Sequence, residues 1–178
     1  MSKLFVKDKI IPDYLFDDIL YDLQGITGYE SKITGDNDID PNIRNSTSKY
    51  LRPSEFLDLN KLLENFCREF NNNHIPSTLM VKELEHLKYG ISGHFKPHND
   101  ILPNKNSRRI RRFTSVTLLS KTDDLKGGDL MVFDENANAI NTNLEVGETV
   151  LFYSSTTHQV TPITKGGREV LVAWIYDR

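Results

Sequence analysis

A single cysteine, Cys67, stands in the 178 residues, so no internal disulfide can staple the chain and a reducing, cytoplasmic setting is expected. Apolar runs of membrane-span length are missing, and no basic segment leads into an apolar stretch with a small-residue cleavage site. Neither a membrane partner nor a secretory leader is therefore expected. Positive charge is not in excess: 22 Lys and Arg against 25 Asp and Glu leave a net charge of -3, which argues against a broadly basic nucleic-acid-binding surface. Internal repeats, low-complexity tails and an interdomain linker are also lacking. With 38% hydrophobic residues, the length fits one domain, 1–178, with its own core.

What is present concentrates in the second half. His98 and Asp100 close the segment YGISGHFKPHND (89–100), whose alternation around Phe95 reads as a strand, and residues two apart on a strand project to one side. His158 follows in GETVLFYSSTTHQVTPITKGGREVLVAWIYDR, where apolar runs at 149–153 and 170–176 flank a polar segment. That pattern reads as strand, turn, strand, with Gly166-Gly167 marking a turn before Arg168.

Two imidazoles and one carboxylate form a facial triad, whose usual occupant is non-haem Fe(II). Three ligands leave positions open for a chelating cosubstrate and O2, and open coordination implies catalysis rather than structural stapling. An isolated arginine is usually at the surface, and an H-x-D triplet alone is a weak signal. Beside a complete triad, however, an arginine returning into an apolar barrel requires an anion. A dicarboxylate fits: Arg168 can grip its distal carboxylate through two parallel hydrogen bonds while the other end chelates the metal.

These segments resemble the Fe(II)- and 2-oxoglutarate-dependent dioxygenases, in the prolyl 4-hydroxylase-like branch that includes PKHD-type hydroxylases. The resemblance runs from about Lys82 to the C-terminus and includes FTSVTLLSKTDDLKGGDLMVF and the HQVTPITKGGR block followed by a strand with Trp174. It implies that His98, Asp100 and His158 ligate Fe(II) and that Arg168 binds 2-oxoglutarate. Tyr89 and Thr117 are implied near the cosubstrate pocket, with barrel packing an equal alternative. Many prolyl hydroxylases carry tyrosine near the position of Leu118, and others carry lysine at that of Arg168. The implied fold is mainly β within an α+β class: a double-stranded β-helix, or distorted jelly roll, with N-terminal helices packed against one sheet. Strand-like alternation from Thr78 onward supports a β-rich core at 78–178, with 1–77 as helical support.

Helical stripes accompany that support. In 12–23, Leu15, Ile19 and Leu23 recur behind early acidic residues, and in 53–73, Phe56, Leu59, Leu63, Phe66 and Phe70 form a stronger stripe entered at Pro53. Between them, 28–48 reads as a long polar loop, and 43–46 is compatible with a substrate lid. Arg108, Arg109, Arg111 and Arg112 read as a charged loop, more often solvated than functional. His74 and His86 read as polar or packing residues, His94 as too far along its strand from His98 to share a metal, and Cys67 as core.

The implied chemistry couples O2-dependent decarboxylation of 2-oxoglutarate, giving succinate and CO2, to hydroxylation of a C–H bond, with ascorbate a candidate reductant. A peptidyl residue, proline first, is the leading substrate class, and a free amino acid or other small molecule is second. An open groove edged by Arg44 and the arginine cluster would favour a peptide; a closed apolar pocket would favour the small molecule. Nucleic-acid demethylation is a weaker third reading, and a catalytically silent metal-binding jelly roll is the non-enzymatic one.

Overall fold

The computed structural model describes residues 4–25, 28–31, 39–71, 79–101 and 110–177. His74, Arg108 and Arg109 lie outside them. Two antiparallel sheets face each other. The larger runs β1 (Phe5–Asp8), β10 (Thr149–Tyr153), β7 (Arg111–Lys121), β12 (Arg168–Asp177), β5 (Leu79–Tyr89), β4 (Thr47–Leu51) and β2 (Tyr29–Glu30). The smaller runs β3 (Arg44–Asn45), β6 (His94–His98), β11 (His158–Val160), β8 (Leu130–Phe133) and β9 (Ala139–Asn141).

Strand composition follows from what covers each face. β12 lies at the centre of the larger sheet, so between Glu169 and Asp177 its run VLVAWIY carries no charge. Leu171, Ala173 and Ile175 point into a core beneath the helices, whereas Val170, Val172, Trp174 and Tyr176 point into a second core between the sheets. A strand covered on both sides is apolar on both sides of its pleat.

Helices α1 (Asp13–Leu23) and α2 (Leu57–Phe70) cover the outer side of the larger sheet. α1 buries Phe16, Ile19 and Leu23, and α2 buries Leu59, Leu63, Phe66 and Cys67. Steps of three and four residues place each set on one stripe. α2 starts four residues later than Pro53 suggests. A 3-10 turn at Pro53–Glu55 intervenes, and the Asn60 side chain donates to the Pro53 carbonyl at 2.8 Å. Among the described residues, no helix is long and apolar enough to cross a membrane.

Two expectations for the N-terminal part need correction. Residues 1–77 are not purely helical support, because β1 to β4 all lie there and extend both sheets. The expected 28–48 loop contains β2, β3 and the start of β4, and Arg44 pairs with Phe95 across β3 and β6. Pairing to established strands overrides the polar composition of strands too short to show a period.

A register slip in β5 prepares the site. Trp174 pairs with Glu83 and Ile175 with Val81, leaving Lys82 as an additional residue. The inserted residue reverses the alternation. Leu79 and Val81 therefore face the helices, whereas Glu85, Leu87 and Tyr89 face the space between the sheets.

The turn between β7 and β8 depends on Gly127, which has φ +78° and would place a Cβ 2.0 Å from the Pro162 carbonyl oxygen. Gly127→Ala adds a backbone clash to a left-handed conformation that itself costs about 1–2 kcal/mol for an L-residue. A lowered urea midpoint is the expected result, and an unchanged midpoint would show that the turn relaxes freely.

Candidate metal and cosubstrate site

His98 ends β6 and His158 begins β11, and the two residues are direct cross-strand partners. Asp100 lies just past the end of β6 rather than on it. Its amide donates to the Ser154 carbonyl at 2.9 Å, which anchors it there. The potential ligand atoms of His98, Asp100 and His158 all lie within 4.8 Å of one another. Asp100 Oδ1 is 3.8 Å from His98 Nε2, and Oδ2 is 3.6 Å from His158 Nε2.

Backbone carbonyls orient both imidazoles. His98 Nδ1 lies 2.7 Å from the Lys96 carbonyl, and His158 Nδ1 lies 3.0 Å from that of Thr156. Donation from Nδ1–H leaves Nε2 as the lone-pair atom facing Asp100, the tautomer a metal requires. Asp100 Oδ2 accepts from the Thr114 hydroxyl at 2.7 Å, and Thr114 Oγ1 lies 3.1 Å from Ser154 Oγ.

Burial raises the Asp100 carboxyl, but the two imidazoles and Thr114 together hold it below the usual carboxylate range. Burial, with His158 alongside, pushes His98 down from 6.5 to about 4 against the pull of Asp100. The site is thus ready for a cation at neutral pH, with one carboxylate charged and His98 neutral. Between pH 6.5 and about 4 the folded, metal-free protein binds fewer protons at His98 than the unfolded chain does. Stability should fall as pH drops through that window and be unaffected by His98 above it. Urea midpoints at pH 7.5 and 5 measure the effect. His98→Gln should shrink the difference, and equal pH dependence in both proteins would refute this account.

The cavity between the sheets brings the three ligand candidates together with Arg168 and Tyr89. Arg168 is 5% exposed. Its Nη1 donates to the Gly128 carbonyl, while Nε and Nη2 are buried without a hydrogen-bond partner among the described residues. The Tyr89 ring centroid is 5.7 Å from its Cζ. Burial pushes the guanidinium down from its ordinary value, yet arginine retains its proton in proteins. Two unanswered donors on a buried cation fit a carboxylate, and the His-Asp-His donor set fits a divalent transition metal.

Thr117 is the site candidate that the structure places elsewhere. Alternation along β7 sends Thr114 and Val116 toward the cavity or the inter-sheet core, and the Thr117 hydroxyl instead lies 2.8 Å from that of Thr149. Leu118 is buried in the inter-sheet core. His94 lies 2.9 Å from the Ser92 carbonyl and 3.2 Å from that of Asn42, and His86 lies 2.8 Å from Glu169. Cys67 is fully buried among apolar side chains.

The arginine expectations also change. Arg111 is not in a solvated loop: it is buried on β7, donates to the Tyr176 hydroxyl at 2.9 Å, pairs with Glu83, and lies 4.4 Å from the Trp174 ring centroid. Arg112 pairs with Asp177. Arg44 does not edge an open groove; it is 5% exposed, lines the cavity and pairs with buried Glu85 at 3.3 Å. Glu85 had a visible signal, an acid in phase with Leu87 and Tyr89. Arg44 had none, because a two-residue strand has no measurable alternation.

A model of the 2OG-Fe(II) oxygenase superfamily matches residues 84–176, from β5 through β12. The chain belongs to the 2OG-Fe(II) oxygenase superfamily. It is similar to a PKHD-type hydroxylase of Synechococcus sp. (strain CC9605), with 34% identity over 102 residues, covering 57% of this chain and 46% of that protein. The chain thus spans less than half of that relative's length. Among solved structures, a Pseudomonas putida prolyl-4-hydroxylase superposes with a TM-score of 0.75 at 16% identity, covering 99% of this chain and 94% of the other. A Trichoplax adhaerens prolyl hydroxylase, solved in complex with a hypoxia inducible factor oxygen degradation domain peptide, gives 0.73 at 16% identity, covering 99% and 84% respectively. These superpositions match the chain's mainly β, two-sheet fold to the jelly roll implied by the sequence.

Proposed function

We propose that this oxygenase binds Fe(II) through His98, Asp100 and His158, binds 2-oxoglutarate through Arg168, and hydroxylates a C–H bond of a peptidyl residue, proline first. The observation that carries the reading is the pair of unpartnered donors on buried Arg168, in the cavity that also holds the triad. Bound iron would supply O2 activation, with 2-oxoglutarate as the electron source converted to succinate and CO2. The protein's own task is orientation and exclusion of water. Lys96 and Thr156 carbonyls fix the imidazole tautomers, Thr114 holds Asp100, and apolar side chains such as Val170 and Val172 line the same cavity.

Tyr89 would pack against the cosubstrate, a role supported by its lining the same cavity beside Arg168. A cytoplasmic location, where reductants such as ascorbate keep iron ferrous, suits this chemistry. The prolyl choice draws on the relatives and structural neighbours named above. The burial of Arg44 favours the second reading, a free amino acid or other small molecule, because it removes one charged edge that a peptide groove would have used.

Anaerobic loading with Fe(II) and 2-oxoglutarate, followed by O2, tests the proposal. Succinate that rises with a pool of proline-containing peptides, together with a one-oxygen mass gain on peptide, is the expected result. Succinate without peptide oxidation would transfer the proposal to small molecules, and folded, iron-loaded protein that binds no 2-oxoglutarate would overturn the enzymatic reading.

A further inference from the structure

We infer that Arg44 is a positioning residue for the metal ligand His98, acting through the ring of Phe95 and held in place by Glu85. This inference rests on the proposed metal role of the triad. His98 is the less protected imidazole, with its side chain 18% exposed against 7% for His158. Its bond to the Lys96 carbonyl fixes the tautomer but leaves the ring plane to be set by packing. Phe95 supplies that plane: the two rings stack at 3.5 Å between centroids and 20° between planes.

Phe95 is in turn covered by Arg44, whose Cζ lies 4.9 Å from the ring centroid. β3 is only two residues long, yet it pairs with β6 so that Arg44 and Phe95 are direct partners. The guanidinium is fixed from other directions by Glu85 at 3.3 Å and by Ser46 Oγ at 3.2 Å. A desolvated cation over an aromatic face is a favourable contact, and burial of the Glu85 carboxylate beside it avoids an isolated charge. The sequence is continuous from the larger sheet to the metal: Glu85 on β5, Arg44 on β3, Phe95 and His98 on β6. Supporting contacts of this type typically change metal affinity by about 10- to 100-fold when removed.

The test uses Co(II) alone as the probe, titrated into metal-free protein, with affinity and the visible absorption of the bound ion as readouts. Removing Arg44 alone would strand Glu85, so the first variant is Arg44→Gln combined with Glu85→Gln. The second is Phe95→Leu, compared with Phe95→Tyr, which keeps the ring. We expect Co(II) affinity to fall about tenfold in the first two with an altered spectrum. Phe95→Tyr should retain both affinity and spectrum. If the doubly neutral variant does not fold, the Phe95 pair decides alone: equal Co(II) binding in the leucine and tyrosine variants overturns the proposal. Wild-type affinity and spectrum in a folded doubly neutral variant overturn it as well. Failure of the wild-type protein to take Co(II) would overturn the triad reading itself, and this inference with it.

Discussion

Asp100→Ala is expected to abolish succinate formation and to lower Fe(II) affinity by more than the roughly 100-fold that loss of a supporting contact costs. The reason is electrostatic as well as geometric. Asp100 is the anionic member of the triad, and its two oxygens face the Nε2 atoms of His98 and His158 at 3.8 and 3.6 Å. Without it, a divalent cation would meet two imidazoles and no anionic ligand inside a cavity that also contains the Arg168 guanidinium. Asp100→Asn separates charge from shape, because the amide oxygen can still accept from Thr114. It should fold like the wild type and bind Fe(II) with an affinity above that of the alanine variant but far below wild type. Calorimetric titration of anaerobic protein, with circular dichroism as a folding control, measures this. Tight iron binding by folded Asp100→Ala would remove Asp100 from the ligand set.

The gathering of His98, Asp100, His158 and Arg168 around one cavity was legible in the sequence because each is a chemically unusual residue beside a clear strand signal. Thr149–Tyr153 forms β10 with the bounds read from its β-branched and aromatic run, and the apolar run at 170–176 lies within β12. The helical stripes were legible for the same reason: burial of one side imposes a period. Thr117 was misplaced because phase in a two-sided buried strand cannot be read when both sides are apolar; Phe113 and Val116 are both buried, in different cores. Arg111 was misread because four arginines within five positions look solvated, whereas its surroundings, Glu83, Tyr176 and Trp174, come from strands distant in sequence. Arg44 carries no such signal along the chain, since its surroundings exist only through pairing with Phe95 and Glu85. Residues whose function comes from their own chemistry are visible along the chain, and residues whose function comes from partners become visible only in the fold.

Arg168→Met should separate stability from function, moving them in opposite directions. In the cosubstrate-free protein Arg168 is a buried cation with one hydrogen-bonded nitrogen and two unanswered ones. Replacing it by an apolar side chain of similar length removes that desolvation cost, so the thermal midpoint without ligand should be unchanged or higher. Affinity for 2-oxoglutarate should fall by about 2–5 kcal/mol, or roughly 30- to 5,000-fold, because the distal carboxylate would be buried without its charged partner. Fe(II) binding should survive, since the triad is intact. Arg168→Lys restores charge without the planar fork and should recover only part of the affinity. Thermal shifts measured with and without 2-oxoglutarate give both quantities in one experiment: wild type should gain stability on adding ligand, and Arg168→Met should not. A methionine variant stabilised by 2-oxoglutarate as strongly as wild type would mean that another group holds the distal carboxylate. Arg44 is poorly suited to take over, because Glu85 already neutralises it. The cavity therefore contains two buried arginines of opposite availability: one closed by its own carboxylate, the other open to a ligand's.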